Sequence, residues 1–119
     1  MDQLTQRHVL LLDLVDEPGS IARYEAWHAA GAVPRPVVAS IRAAGIAAMQ
    51  IFRSGNRLVM VMDATAAFDP AAKARADAAD PDVVAWETLM DGFQQRLPWA
   101  AAGEKWVEAG LIFDLAAQG

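Results

Sequence analysis

The stretch AMQIFRSGNRLVMVMD, from Ala48 to Asp63, decides the fold of this chain. Mostly apolar residues stand on both sides of a short polar break, which predicts β-strands at residues 48–53 and 57–63. The three residues between them, Ser54-Gly55-Asn56, suit a hairpin connection because glycine and asparagine tolerate the backbone angles of tight turns. The sequence therefore predicts a hairpin in the middle of the chain.

One strand and two helical segments precede this hairpin. His8 to Val15 is a mostly apolar run that predicts a buried strand. Apolar residues then recur at helical spacing from Ser20 to Ala30, and again from Pro36 to Ala44. Gly45 follows as a favourable residue for ending the second helix.

Two helices and a strand follow the hairpin. Asp69-Pro70 and Asp80-Pro81 each place a helix-capping aspartate before a proline. These pairs predict a short helix near residues 70–79 and a longer one near 81–95. The run LIFDL after Gly110 predicts the last strand.

The predicted order of elements is β-α-β-β-α-β, with both helices broken in two. This is the order of the ferredoxin-like fold, an α+β fold in which an antiparallel sheet carries its helices on one face. The other face stays apolar until something buries it, and two such domains often bury each other's sheets as a dimeric α/β barrel. We therefore expect residues 1–119 to form a single domain that associates as a homodimer.

Composition and charge exclude several classes of function. The chain has 119 residues and a formal net charge of −5, which argues against nucleic acid as a partner. No apolar run approaches the roughly 20 residues of a membrane span, and the N-terminus does not resemble a signal peptide, so we expect a cytoplasmic protein. With no cysteine and only two histidines, His8 and His28, twenty residues apart, we expect no metal site.

Tyr24 and His28 form the first candidate site, because residues four apart project from the same face of a helix. Histidine exchanges a proton near neutral pH, and tyrosine donates a hydrogen bond or a proton. Taken by itself, the spacing favours packing, or a hydrogen bond at the end of a helix, over catalysis.

Trp86, Asp13 and Asp63 are further candidates for ligand binding. Trp86 lies in a predicted helix, as a core residue or as a flat platform for the apolar face of a sugar. Asp13 and Asp63 stand at the ends of the first and third strands. We expect those strands to be parallel neighbours in the sheet, so that both carboxylates lie at one edge and can orient a hydroxyl-rich ligand. The alternative is that both are ordinary residues of strand ends.

Seven segments in order resemble the L-rhamnose mutarotase family. They are YEAWH, SIRAAGI, QIFRSGNRLVMVMD, KARADAADP, AWETLM, FQQRLP and GEKWVEAGLIFDL, and the similarity runs from Arg7 to Leu115. The resemblance implies a small cytoplasmic homodimer with the ferredoxin-like, dimeric α/β-barrel fold. It also implies interconversion of the α and β anomers of L-rhamnose, or of L-fucose as in some relatives, without a metal or organic cofactor.

The resemblance also implies roles for individual residues. His28 matches the family's catalytic histidine, Tyr24 matches the tyrosine one turn earlier, and Trp86 matches a tryptophan used toward the sugar. Asp13 or Asp63 would then hold ring hydroxyls.

The chain departs from the family pattern at three positions. Val33 precedes Pro34 where many members have tryptophan, Met49 replaces an aromatic residue in the second strand at a substrate-binding position, and Asp91 replaces another tryptophan. These changes make L-fucose or another 6-deoxy sugar a competitor of L-rhamnose. Two other hypotheses stay open: a sugar-binding dimeric barrel without turnover, and a haem-degrading or quinone-forming monooxygenase.

Overall fold

A computed structural model describes residues 4–119, so the first three residues of the predicted 1–119 domain lie outside the described residues. Five strands and four helices, with a final single turn of 3₁₀-helix, follow one another along the chain. In order they are β1 (Thr5–Leu14), α1 (Pro18–Trp27), α2 (Arg35–Ala43), β2 (Ile46–Ser54), β3 (Arg57–Thr65), α3 (Pro70–Ala79), α4 (Pro81–Asp91), β4 (Gln94–Gln95), β5 (Val107–Glu108) and the turn Leu115–Ala117.

The strands form one antiparallel sheet in the order β2-β3-β1-β4, with β5 also paired to β1. Strand β1 lies beside β3, with Val9 opposite Val61, and β3 lies beside β2. This order, with the helices packed on one face, confirms the predicted ferredoxin-like α+β fold. The expectation that the first and third strands run parallel is wrong, because β3 leaves the hairpin in the direction opposite to β2 and therefore pairs with β1 antiparallel.

The helices begin where the sequence places capping residues. The side chains of Asp69 and Asp80 accept hydrogen bonds from the backbone N–H groups of Ala71 and Asp82, as the Asp-Pro pairs predict. Helix α1 has the same device and begins at Pro18, two residues before its predicted start. There the Glu17 carboxylate accepts hydrogen bonds from two backbone N–H groups of the first turn, which lower its pKa.

The two faces of the sheet differ in how deeply their apolar side chains are buried. Leu12, Leu14 and Leu58 point toward the helices and are almost completely buried. On the face away from the helices, the alternate apolar residues are only partly buried, and Phe52 is 55% exposed. These outward residues are Val9, Leu11, Phe52, Val59 and Val61, which define the open face.

Several boundaries differ from the prediction, and three of them shape the surroundings of the cavity or the hairpin. Helix α1 ends at Trp27, short of the predicted Ala30. The hairpin connection has two residues, Gly55 and Asn56, because Ser54 still pairs with Arg57. Helix α4 ends at Asp91 because residues 94–95 leave it to join β1 as β4.

The predicted last strand, LIFDL at residues 111–115, is wrong. The chain pairs with β1 earlier, through β5 at Val107–Glu108 and a backbone hydrogen bond from Ala109 to Val9. After Gly110 it leaves the sheet, so these apolar residues have no strand partner within the described part of the chain. Leu111, Ile112 and Phe113 are consequently 80%, 98% and 64% exposed.

Candidate active site

A cavity of about 790 Å³ lies between the sheet and its helices. Its floor consists of side chains from β1, β2 and β3, among them Leu10, Met49 and Met60. Its walls come from the helices and from the segment after α4. Most of the lining is apolar, and Tyr24 and His28 are among its polar side chains.

Tyr24 and His28 meet because helix α1 ends between them. Tyr24 lies on its last turn and is 3% exposed, whereas His28 is the first residue beyond the helix. The two rings stack with their centroids 4.2 Å apart and their planes tilted by 33°. The phenol of Tyr24 and the imidazole of His28 therefore lie side by side at the cavity wall.

The orientation of the imidazole is set by the backbone. The Nδ1 atom of His28 lies 2.7 Å from the carbonyl oxygen of Tyr24. Since a carbonyl only accepts hydrogen bonds, Nδ1 is the donor, and the neutral ring carries its lone pair on Nε2. This tautomer gives the site a proton acceptor at Nε2.

The Tyr24 hydroxyl has the opposite character. Burial raises the pKa of Tyr24 to about 12, although a hydrogen bond from the Gln94 side chain acts in the other direction. Tyr24 is consequently a protonated donor at neutral pH. The site thus combines one proton acceptor and one proton donor.

Two tryptophans contribute to the cavity wall. Trp86, on α4, is 8% exposed, and its ring centroid lies 5.4 Å from that of His28. Trp106, just before β5, lines the same cavity and packs against the core that includes Tyr24 and Trp86. Trp86 is therefore a core residue whose indole also borders the cavity.

Asp13 and Asp63 do not lie in the cavity. Each stands between two residues that point toward the helices, so its own side chain lies on the other face of the sheet. Asp13 is 5% exposed and accepts two hydrogen bonds from Arg57, at 2.8 and 3.2 Å, whereas Asp63 pairs with Arg7 at 3.1 Å. Because β1 and β3 are antiparallel, the two carboxylates also lie at opposite ends of β1.

The three positions that depart from the family pattern have different surroundings. Val33 and Met49 both line the cavity, so the missing aromatic rings would have faced it. Asp91 is exposed at the end of α4 and binds Lys105 Nζ at 2.6 Å. The cavity therefore gathers Tyr24, His28, Trp86 and Met49 of the predicted site residues.

Sequence reasoning missed two residues of this cavity. Trp106 lies in a segment without regular periodicity, so no sequence pattern indicated that it would reach the cavity. Gln94 gave no signal at all, since it follows α4 where the helix was expected to continue. Within residues 4–119, its Oε1 is the one buried side-chain polar atom without a hydrogen-bond partner.

The described residues contain neither a metal-binding cluster nor a membrane-spanning helix. Among the described residues, no three His, Asp or Glu side chains come together as a group that could hold a metal ion. Over the same residues 4–119, no helix has the length and apolar character needed to cross a membrane.

Comparison with known proteins places these features in context. The sequence model of the L-rhamnose mutarotase family matches residues 7–115. The chain is 56% identical over 110 residues to an L-fucose mutarotase of Xanthomonas campestris, covering 92% of this chain and 88% of that protein. Its fold is similar to the crystal structure of an L-rhamnose mutarotase from Formosa agariphila, with a TM-score of 0.66 and 16% identity over 92% of this chain and 98% of the other.

Proposed function

The chain belongs to the L-rhamnose mutarotase family and is an isomerase that acts on carbohydrates, and we propose that it interconverts the α and β anomers of L-fucose. The observation that carries the proposal is the stacked Tyr24/His28 pair, which presents a proton donor and a proton acceptor to one cavity. The choice of L-fucose over L-rhamnose is supported by the 56% identity to the Xanthomonas enzyme.

The proposed reaction uses both groups in turn. Nε2 of His28 takes the proton from the anomeric hydroxyl while the Tyr24 hydroxyl gives its proton to the ring oxygen. The bond between C1 and the ring oxygen breaks, and the resulting aldehyde rotates about the C1–C2 bond. On closure, Tyr24 recovers its proton from the hydroxyl that attacks C1, and His28 returns its proton to the new anomeric oxygen.

The cavity supports this reaction in two further ways. Tyr24 is buried and His28 is half-buried, and this partial removal from water strengthens hydrogen bonds to the reacting oxygens. Trp86 borders His28 and offers an aromatic surface to the sugar. Met49 on β2 is paired with Met62 on the neighbouring strand β3. Its smaller side chain widens the cavity at a position where many relatives have an aromatic ring.

Exchange spectroscopy of the anomeric NMR signals tests this function. Wild-type protein is expected to accelerate exchange of L-fucose more than that of L-rhamnose, and His28→Ala to lose about 10²- to 10⁴-fold of that acceleration. His8→Ala is the matched control, because His8 pairs with Glu108 on β5. Exchange at the buffer rate with both sugars would refute the mutarotase activity for these substrates.

We also propose that the enzyme works in the cytoplasm without a metal or organic cofactor, as the family resemblance implies. Activity is then expected to survive dialysis against a chelator. A loss of activity that an added divalent cation restores would contradict this part of the proposal.

A homodimer is the third part of the proposal. Two apolar surfaces support it: the open face of the sheet and the segment Leu111–Leu115, which leaves the sheet with its large side chains exposed. Surfaces of this kind indicate protein contacts, because a stable monomer rarely leaves them in water. A second copy of the chain offers both surfaces again and can cover them reciprocally.

A further inference from the structure

We propose that Trp106 is a specificity-determining residue that stacks on the C–H face of the bound 6-deoxy sugar, and that Lys105 positions it. This role rests on the proposed function, since it states which face of that sugar the cavity recognises. Trp106 would add a second aromatic surface to the cavity that also holds Tyr24, His28 and Trp86.

Trp106 has the surroundings of a ligand platform. It lines the cavity and packs its indole against the buried core, yet it remains only half-buried. A tryptophan used only for packing would gain more by burying its whole ring. One part of the indole is therefore held by the protein, and another borders the space where a ligand binds.

The segment that carries Trp106 is fixed by specific contacts. Residues 96–106 form neither helix nor strand. Within this segment the Glu104 carboxylate accepts a hydrogen bond from the backbone N–H of Ala101, and the Glu104 carbonyl accepts one from Arg96. These bonds order a loop that would otherwise lack regular backbone pairing.

Lys105 ties that loop to helix α4. Its Nζ atom lies 2.7 Å from the Glu87 carboxylate and 2.6 Å from the Asp91 carboxylate, one turn apart on α4. Burial lowers the pKa of Lys105, but the two carboxylates together outweigh it, so the pKa is raised and the ammonium stays charged. These two ion pairs form the Lys105 clamp. Because Glu87 follows Trp86 directly, the clamp fixes Trp106 relative to the turn of α4 that carries Trp86.

The orientation of the C–H bonds in the two sugars would make the Trp106 indole selective for L-fucose. In L-fucose the hydrogens on C3, C4 and C5 lie on one face of the ring beside the methyl group, which makes a continuous apolar patch. In L-rhamnose the hydrogen on C4 lies on the opposite face from those on C3 and C5, so the patch is divided. A flat indole matches the first arrangement better, because it covers all three C–H bonds at once.

The test compares Trp106→Ala, Trp106→Phe and Trp99→Ala in the anomer-exchange assay over a range of sugar concentrations. Trp99 is the matched control: it belongs to the same loop, but it is 57% exposed and its ring lies against Arg57. We expect Trp106→Ala to raise KM for L-fucose about tenfold with kcat little changed, and KM for L-rhamnose by about threefold. Trp106→Phe should recover most of the loss, and Trp99→Ala should stay within about twofold of wild type.

Lys105→Met and Lys105→Arg test the positioning role. Lys105→Met should raise KM for L-fucose in the same direction as Trp106→Ala, because the loop loses its clamp. Lys105→Arg keeps the charge and should restore KM toward wild type. In the double variant Lys105→Met/Trp106→Ala, the two effects should be less than additive, since both act through one indole.

Several results would overturn the proposal. They are an unchanged KM for Trp106→Ala, an equal loss for the two sugars, or a KM in Trp106→Phe as high as in Trp106→Ala. If wild-type protein accelerates neither sugar, the proposed function fails, and calorimetric binding of L-fucose then decides the stacking role separately. Tighter binding by wild type than by Trp106→Ala would support stacking, and equal or undetectable binding would reject it.

Discussion

His28 donates a hydrogen bond from Nδ1 to the backbone carbonyl of Tyr24, the residue whose ring it stacks on. One short piece of chain thus orients the imidazole, selects its tautomer and places a phenol beside it. The contact depends on the helix ending after Trp27, because in a longer helix that carbonyl would accept a backbone N–H. The end of α1 is therefore part of the active-site geometry.

The tautomer of His28 is directly measurable. Long-range ¹H–¹⁵N correlation spectra of the neutral ring are expected to show the proton on Nδ1 and an unprotonated Nε2. The variant His8→Gln leaves His28 as the one histidine of the chain, which makes the assignment unambiguous. A neutral ring with its proton on Nε2 would contradict the proposed role of this atom as proton acceptor.

The titration of Tyr24 gives a second prediction. Tyr24 is the one tyrosine in the sequence, so the absorbance of tyrosinate reports it alone. Its pKa of about 12 should appear as a titration midpoint far above the midpoint of the denatured chain, which is about 10. A midpoint in the folded protein equal to that of the denatured chain would rule out the buried, protonated phenol.

The raised pKa of Tyr24 also makes stability depend on pH. A group that binds its proton more tightly in the folded state stabilises the fold below its unfolded pKa, and this contribution is lost as pH rises toward the folded pKa. Relative to Tyr24→Phe, the free energy of unfolding should fall by about 2 to 3 kcal/mol between pH about 10 and about 12. Chemical denaturation at several pH values measures the difference, and parallel curves for the two proteins would contradict it.

Substitution of Asp13 or Asp63 should lower the stability of the fold without changing enzymatic activity. Asp13→Asn removes the charge of a buried carboxylate that holds Arg57, and we expect it to lower the free energy of unfolding by about 1 to 3 kcal/mol. Asp63→Asn breaks an ion pair nearer the surface and should cost about 1 kcal/mol or less. Both should leave kcat little changed, because neither side chain faces the cavity. A loss of kcat in a variant that remains folded would indicate that this aspartate does contribute to the substrate site.

Gly45 and Gly55 offer a matched comparison of backbone and contact effects. Both have positive φ, +93° and +60°. At Gly45 a Cβ atom would come within 2.9 Å of Thr65 Oγ1 and 3.1 Å of the Phe68 nitrogen, whereas at Gly55 it meets no atom within 4 Å. Gly55→Ala should therefore cost about 1 kcal/mol and Gly45→Ala roughly 1 to 3 kcal/mol more. Equal losses in thermal unfolding would show that the contacts at Gly45 have no effect.

The exposed segment after β5 predicts the behaviour of the dimer. Ile112 is 98% exposed in a single chain, so Ile112→Asp should leave the fold intact and shift the mass toward that of the monomer. Gln118→Asp, which adds the same charge near the same terminus, should leave the dimer unchanged. Light scattering after size-exclusion chromatography measures both. A monomeric wild type, or an Ile112→Asp protein that is fully dimeric, would reject this segment as the interface.

Local interactions made several features predictable from sequence. The hairpin around Gly55, the caps at Asp69 and Asp80, and the proximity of Tyr24 to His28 each depend on residues a few positions apart. Their geometry follows from turn preferences, helix capping and the helical repeat. The order of elements then leads to the ferredoxin-like sheet without any knowledge of distant contacts.

Only the tertiary structure decided the rest, because those features depend on residues far apart in the chain. The antiparallel pairing of β1 with β3 places Asp13 and Asp63 at opposite ends of β1, and the alternation of side chains along each strand places both on the face away from the cavity. The Lys105 clamp brings Trp106 from an irregular loop into the cavity wall. The apolar pattern at residues 111–115 indicates a strand, but a strand forms only where another strand offers its hydrogen-bonding edge, and within its own described chain this segment has none.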